Sequence, residues 1–144
     1  MSIWIKIYLG FCGTIIIAGG LLVTFWLVYP YEPFTATTQP FKVITKQLHI
    51  GEDFSYIAEY CKYTDAVPIK VLRQLIDGYA YDLPSSISNN FPSGCRAVTV
   101  TVPLNVPSTV HHGTYHVLIT GSYQVNPLRT WNYQLETEEF EIIK

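Results

Sequence analysis

Hydrophobic and polar positions divide the chain into two regions with different periodicity. No charged side chain occurs from Ile7 to Tyr31, and the apolar core of this stretch, Ile7 to Val28, has 22 residues. As a helix it would be about 33 Å long, enough to cross a hydrocarbon layer of about 30 Å. Beyond it, apolar and polar residues alternate in steps of two, which is typical of half-buried strands. The pattern therefore predicts one transmembrane helix followed by an all-β region.

The flanks of the apolar segment support a membrane anchor. Aromatic residues at both ends favour the headgroup region, and Pro30 and Pro33 end the helix. Small residues four apart on one face would let two such helices pack closely. The residues assigned to the anchor, which include this small face, are Ile7, Gly10, Thr14, Ala18 and Val28.

A cleaved signal peptide is the alternative for this segment. Its apolar region is usually about 7–15 residues long and ends at a small-residue cleavage site. Ala18-Gly19-Gly20 offers small residues, but Leu21 to Val28 remains apolar after them. A retained anchor is therefore favoured. Lys6 before the segment and Glu32 after it place the N-terminus in the cytoplasm and residues 32–144 in the periplasm or outside the cell.

Three parts follow from this division: the tail and helix over residues 1–28, a linker over 29–40, and a β domain over 41–144. Prolines in the linker favour an extended, polyproline-like conformation. The strand expected from Val71 to Tyr81 is predicted to be broken or bulged at Gly78, and residues 137–139 are expected to hold a bulge or turn. A helix over Val67–Ile76 is an alternative to a strand there. The expected strands begin at Phe41, Phe54, Val71, Ala97, Tyr115 and Trp131, and residues 82–94 are expected to form a loop.

Composition and charge exclude several classes of function. Only 14% of the residues are charged, against about 25% in a typical soluble domain. Residues 32–144 carry eight Lys/Arg and eleven Asp/Glu, a net charge of −3 without a basic patch, which argues against nucleic acid as a partner. Phosphate-binding loops, nucleophile elbows and dinucleotide fingerprints are absent from the sequence, so no cofactor is expected.

The cysteines predict one disulfide. Cys12 lies within the apolar segment and is expected to act as a small apolar filler. Cys61 and Cys95 both lie in the β domain, and an oxidising compartment would allow them to pair. The alternative is two free thiols. No further ligands with the spacing of a zinc site accompany them, so no metal is expected.

The stretch from Val106-Pro107 to Gly113-Thr114-Tyr115-His116-Val117 resembles a turn of immunoglobulin-like domains. The resemblance implies an immunoglobulin-like or fibronectin-like antiparallel β-sandwich, in which the Tyr115 hydroxyl ties the preceding loop. The spacing of Cys61 and Cys95 is shorter than in antibody-type domains, and no tryptophan stands between them. The build of the whole chain is similar to that of small membrane-anchored proteins of bacteria and phages.

Two fragments suggest an enzyme as an alternative. Ser93-Gly94-Cys95-Arg96 and His112-Gly113-Thr114 resemble pieces of the site of L,D-transpeptidases, which act on the bacterial wall through a cysteine nucleophile. Their order in the chain is reversed, and a disulfide at Cys95 would remove the nucleophile because only the thiolate attacks. Two clusters remain candidates for surface chemistry, namely the histidines 111, 112 and 116 and the glutamates 136, 138, 139 and 141. Both are better explained as solvated side chains, the glutamates on a strand edge.

Aromatic residues are the candidates for an interaction surface. Tyrosine and tryptophan bring a large contact area with few rotatable bonds. We expect Tyr79, Tyr81, Tyr123 and Trp131 to gather on one exposed face, the alternative being that they serve the core.

The sequence thus favours a non-enzymatic, single-pass membrane-anchored module for protein–protein interaction or structural assembly at the membrane surface. Its expected partners are the lipid bilayer and either an unidentified protein or a second copy of this chain. One alternative is an envelope-acting enzyme that uses Cys95 and His112. The other is a pilin-like subunit that polymerises through its helix, although this segment lacks the early glutamate of pilins.

Overall fold

The structure is a computed structural model, and it describes residues 3–29, 31–83, 91–104 and 110–143. Strand accounts for 52% of the structure. Two compact units are present: Met1–Tyr31 with Val125–Arg129, and Glu32–Gln124 with Thr130–Lys144. The elements are α1 (Ile3–Val28), β1 (Phe34–Ala36), β2 (Lys42–Val43), β3 (Gln47–His49), β4 (Asp53–Lys62), β5 (Lys70–Ile76), β6 (Ala80–Asp82), β7 (Gly94–Pro103), β8 (Gly113–Asn126), β9 (Arg129–Glu136) and β10 (Phe140–Ile143).

The helix α1 confirms the predicted apolar helix. It is 26 residues long, and none of its residues is buried. The hydroxyls of Thr14 and Thr24 each donate to a carbonyl four residues earlier, at 2.9 Å. Their polar groups are therefore satisfied within the helix, as a lipid environment requires. By length and composition, α1 can cross a membrane.

The first sheet is built around β4. Along its whole length β4 pairs antiparallel with β7, from Asp53 opposite Pro103 to Lys62 opposite Gly94. The other side of β4 pairs with two short strands, β1 at its C-terminal end and β2 near its middle. Two hydrogen bonds fix the segment before β7, because the Tyr60 hydroxyl donates to Pro92 O and Lys62 Nζ donates to Phe91 O.

The second sheet is built around β8, the longest strand. Its strand order is β3-β10-β8-β5-β6, and β9 also pairs with β8. All described pairs in this sheet are antiparallel except β3 with β10, which run parallel. Pro127 and Leu128 form the turn between β8 and β9.

The inner faces of the two sheets meet in one hydrophobic core. Aromatic rings make the contacts between the sheets: Phe54 of β4 lies 4.4 Å from Phe140 of β10, and Phe34 of β1 lies 5.3 Å from Tyr133 of β9, measured between ring centroids. Strand alternation places these residues inward at every second position. The other buried members include Tyr56, Tyr60, Leu75, Val102, Tyr115, Val117, Tyr123 and Ile142.

Most predicted strands are confirmed, but the linker is shorter than expected. Residues 34–36, which were assigned to the extended linker over 29–40, form β1 and pair with β4. Phe34 is buried because its ring stacks on Tyr60 at 5.2 Å between centroids. The strand expected from Phe41 is divided into β2 and β3, which belong to different sheets.

The break predicted at Gly78 is confirmed. Gly78 has a φ of 107°, and it lies in the turn of a hairpin between β5 and β6 rather than at a bulge within one strand. This backbone conformation favours glycine because it has no Cβ. The alternative helix over Val67–Ile76 is wrong, since residues 70–76 form β5. Of the predicted loop over 82–94, residues 84–90 lie outside the described residues.

The strand is interrupted over residues 137–139, where a bulge or turn was predicted, and Thr137 stabilises this segment. β9 ends at Glu136 and β10 begins at Phe140. Between them, the Thr137 hydroxyl accepts from Val117 N at 2.9 Å, and Thr137 N donates to Val117 O at 3.1 Å. The side chain thus replaces a backbone partner where the regular ladder is interrupted.

Tyr115 ties the loop that precedes it, as the resemblance implied. Its hydroxyl donates to His111 O at 2.8 Å. Burial, and secondarily the nearby Asp77 carboxylate, raises the pKa of Tyr115 to about 12. The Val106-Pro107 part of the motif lies outside the described residues.

A glycine makes room for Tyr133 in the core. Gly121 lies on the inner side of β8, opposite Val71 of β5. A Cβ atom at this position would overlap the Cζ and hydroxyl oxygen of Tyr133. The ring of Tyr133 can therefore lie over β8 only because residue 121 has no side chain.

We expect Gly121→Ala to lower the free energy of unfolding by about 1–3 kcal/mol, because the methyl group would displace a core ring. Gly113→Ala is the matched control on the same strand, since its Cβ would lie 3.7 Å from Tyr115 Cε2, an ordinary contact. Chemical denaturation of both variants measures the effect. Equal stability of the two variants would contradict the predicted overlap.

Stability is expected to fall at alkaline pH. Burial raises the pKa of both Tyr115 and Tyr123 to about 12, against an unfolded value of about 10. Below pH of about 10 both states keep these protons, whereas between about 10 and 12 only the unfolded chain loses them, so the free energy of unfolding decreases over that range. Tyrosinate absorbance should titrate later in the folded protein than in denaturant. Coincident titrations would refute the prediction.

Candidate functional site

The residues predicted to form a membrane anchor all lie on α1, and the face that carries its small residues is unobstructed at Gly10. Ile7, Gly10, Thr14, Ala18 and Val28 fall within Ile3–Val28. A Cβ added at Gly10 would meet nothing within 4 Å. The Thr14 hydroxyl is occupied by the helix's own Gly10 carbonyl, so what the face offers a neighbour is close backbone approach rather than a free donor.

The C-terminal end of α1 forms one unit with the β8–β9 turn. Asn126 Nδ2 donates to Trp26 O at 2.7 Å, and Arg129 Nη1 donates to Tyr29 O. Carbonyls at the end of a helix lack partners within it and carry partial negative charge. The Asn126 amide and the Arg129 guanidinium therefore satisfy carbonyl groups at the C-terminal end of α1. These bonds could not be read from the sequence, since 100 residues separate each pair.

The predicted disulfide is present. Cys61 and Cys95 are bonded, with an S–S distance of 2.02 Å. They stand directly opposite each other in the β4–β7 pair. The bond thus joins two neighbouring strands of one sheet, near the end at which β7 begins. Cys12 is a free cysteine, half-buried within α1.

The predicted exposed aromatic face is not formed. Tyr123 is buried, with 1% of its surface exposed, and Trp131 packs against it with ring centroids 6.4 Å apart. Tyr81 also packs against the core, at the opposite end of β8, and only Tyr79 is exposed. Tyrosine suits strands on either face, so its presence could not show which of these rings point outward.

The enzyme-like fragments do not form a nucleophilic site. Cys95 lies in the disulfide and so has no thiolate. It stands at the start of β7, whereas His112 follows the other end of this ten-residue strand, which spans about 30 Å. His111 and His112 are exposed. No group of three or more metal-ligating side chains occurs among the residues that the structure describes.

Two of the glutamates that follow β9 accept hydrogen bonds from other strands. Glu138 accepts a hydrogen bond from Val43 N at 3.3 Å, and Glu141 accepts from Gln47 Nε2 at 3.1 Å. The expected edge position is wrong for β10, because it lies between β3 and β8. Glu141 projects from the outer face of this paired strand.

An open strand edge is the feature that sequence reasoning missed. β7 pairs with β4 on one side, and within the described ranges no strand pairs with its other side. This edge is ten residues long, and between Arg96 and Pro103 it carries no charged side chain. Natural edge strands are usually short or protected by charge, proline or bulges. Among the residues that the structure describes, the outer edge of β7 therefore presents a row of backbone donors and acceptors that no other strand pairs.

Comparison with models of known protein families gives no match, and comparison with curated proteins gives none either.

Replacing both disulfide cysteines by serine should lower the free energy of unfolding by about 3–4 kcal/mol, the chain-entropy value for a loop of this length. The disulfide closes a loop between two cysteines that are 34 residues apart in the sequence. Cys12→Ser is the matched control, because that thiol is free, and it should leave the unfolding transition of the β unit unchanged. An unchanged transition in Cys61→Ser/Cys95→Ser would contradict the stabilising role.

Proposed function

We propose that this protein is a non-enzymatic, single-pass membrane protein whose β domain binds another protein outside the cytoplasm. In this proposal α1 is a retained anchor, and the β domain is an immunoglobulin-like sandwich. The observation that carries the proposal is the open edge of β7.

The membrane anchor is supported by the surface of α1. None of its 26 residues is buried, and from Ile7 to Val28 the helix carries no charged side chain, so in water it would expose a long apolar surface. Lipid removes that cost. A cytoplasmic N-terminus is supported by Lys6, and an oxidising location for the β domain by the Cys61–Cys95 disulfide.

An immunoglobulin-like arrangement is supported by the strand pairs. In such domains the first, second and fifth strands share one sheet, and the third, sixth and seventh share the other. Here β1, β2, β4 and β7 share one sheet, while β5, β8 and β10 share the other. The bond from the Tyr115 hydroxyl to His111 O also matches the tyrosine corner of these domains.

Binding at β7 would occur by addition of a strand. An extended partner segment that pairs with an open edge gains main-chain hydrogen bonds along its length. Thr99 and Thr101 are exposed and uncharged, so their side chains would not repel an incoming backbone. The cross-linked pair at Cys61 and Cys95 holds β7 in register on β4, which keeps the edge preorganised.

The test is site-specific photo-crosslinking in native membranes that have been washed with alkaline carbonate. We expect the chain to stay in the membranes, and a photoreactive residue at Thr99 to give an adduct of higher mass. The same residue at Thr35 is the matched control, because Thr35 is exposed on β1, at the other side of the sheet.

Mass spectrometry of the adduct distinguishes a different protein from a second copy of this chain. Recovery of the monomer alone from Thr99 would reject binding at β7. Release of the chain by carbonate would reject the anchor.

A further inference from the structure

A pocket lies at the side of the β domain, where one strand of each sheet contributes to its wall. β1 belongs to the first sheet and β9 to the second. Phe34 of β1 and Tyr133 of β9 both line the pocket, and their rings stack with centroids 5.3 Å apart. The pocket has a volume of ≈ 290 Å³, close to the lower end of the range of about 300–1,000 Å³ that is usual for small-molecule sites.

The apolar wall of the pocket is mainly aromatic. Phe34 is buried, whereas Trp131 and Tyr133 are half-buried. The ring of Trp131 stacks on Tyr133 with centroids 5.6 Å apart and also packs against the buried Tyr123. These contacts with the core hold the rings in place, so a ligand would meet an aromatic surface that is already formed.

Polar side chains complete the pocket. Gln134 of β9 lies between Tyr133 and Leu135 in the sequence, while Glu32 and Gln39 come from the segments just before and just after β1. Glu32, Gln39 and Gln134 are exposed, so a ligand can replace the water around them. An amide group both donates and accepts hydrogen bonds, whereas an ionised carboxylate only accepts. The pocket therefore offers donors and acceptors beside aromatic rings.

The charge of the pocket argues against two classes of ligand. Among the described residues that line it, Glu32 is the only charged one. Residues 32–144 as a whole carry a net charge of −3, so an anionic ligand would be repelled. One carboxylate is also too few to hold a metal ion, and the described residues contain no group of three or more metal-ligating side chains.

Two classes of small ligand fit the remaining constraints, an organic ammonium ion and a neutral saccharide. An ammonium ion has no acceptor, so it would leave the amide N–H groups of Gln39 and Gln134 without a partner. A sugar hydroxyl both donates and accepts. The C–H face of a sugar ring is apolar and gains by covering an aromatic surface. A saccharide therefore uses both the polar and the aromatic parts of the pocket.

We propose that this pocket binds one ring of a neutral saccharide, which packs on the aromatic wall and is hydrogen-bonded by Glu32, Gln39 and Gln134. The two oxygens of the Glu32 carboxylate would accept from sugar hydroxyls, and the two amides would pair with others. No residue of β7 lines the pocket. The site is therefore independent of the proposed protein partner, and either proposal can fail without the other.

The first test is saturation-transfer NMR on the full-length protein in a polyoxyethylene detergent, which has neither a sugar nor an ammonium headgroup. The neutral probes are glucose, galactose, mannose and N-acetylglucosamine, while glucuronate and choline carry a negative and a positive charge. We expect at least one neutral sugar to receive saturation and glucuronate to bind more weakly than that sugar. No signal from any of the four neutral sugars, or tighter binding of choline, would overturn the proposal.

The second test assigns the binding to this pocket. Gln134→Ala should weaken the affinity for the sugar about five- to tenfold, which corresponds to the loss of one hydrogen bond. Gln47→Ala is the matched control, because Gln47 is an exposed glutamine of β3 that does not line the pocket. Both variants should keep the unfolding midpoint of the natural protein, since both side chains are exposed. Equal affinity of the two variants for the sugar would overturn the proposal.

Discussion

The contact of aromatic rings between the two sheets is the interaction on which the β domain depends. Phe54 reaches Phe140, and Phe34 reaches Tyr133, so each sheet buries its inner face mainly by means of the other. Aromatic side chains bury large areas and favour offset or tilted packing. The short strands β1, β2 and β3 are stable in this context because each contributes an apolar residue to the same core.

Tyrosines in this core also connect it to the loops. A buried tyrosine has an apolar ring and a hydroxyl that needs a partner. The Tyr60 hydroxyl donates a hydrogen bond to Pro92 O, and the Tyr115 hydroxyl donates one to His111 O. Packing and loop conformation are therefore coupled just before β7 and just before β8.

Sequence periodicity was sufficient for the long strands and for the helix. Alternation located β4, β7 and β8 because each has one buried face, and the uncharged run located α1. It was insufficient for β1, since three residues are too few to establish a period and nearby prolines suggested a linker. It also could not identify the buried Arg73 or Tyr123, because burial of a polar residue depends on tertiary neighbours. The open edge of β7 depends on strand order, which alternation does not encode.

The position of the disulfide determines how the domain would bear mechanical load. A bond between Cys61 and Cys95 closes a loop that contains β5 and β6. Tension applied between the N-terminal helix and the C-terminal end of the chain would pass directly from residue 61 to residue 95. The residues between them lie outside that covalent path, so β5 and β6 would be shielded from stretching even after the strands before Cys61 had been pulled away.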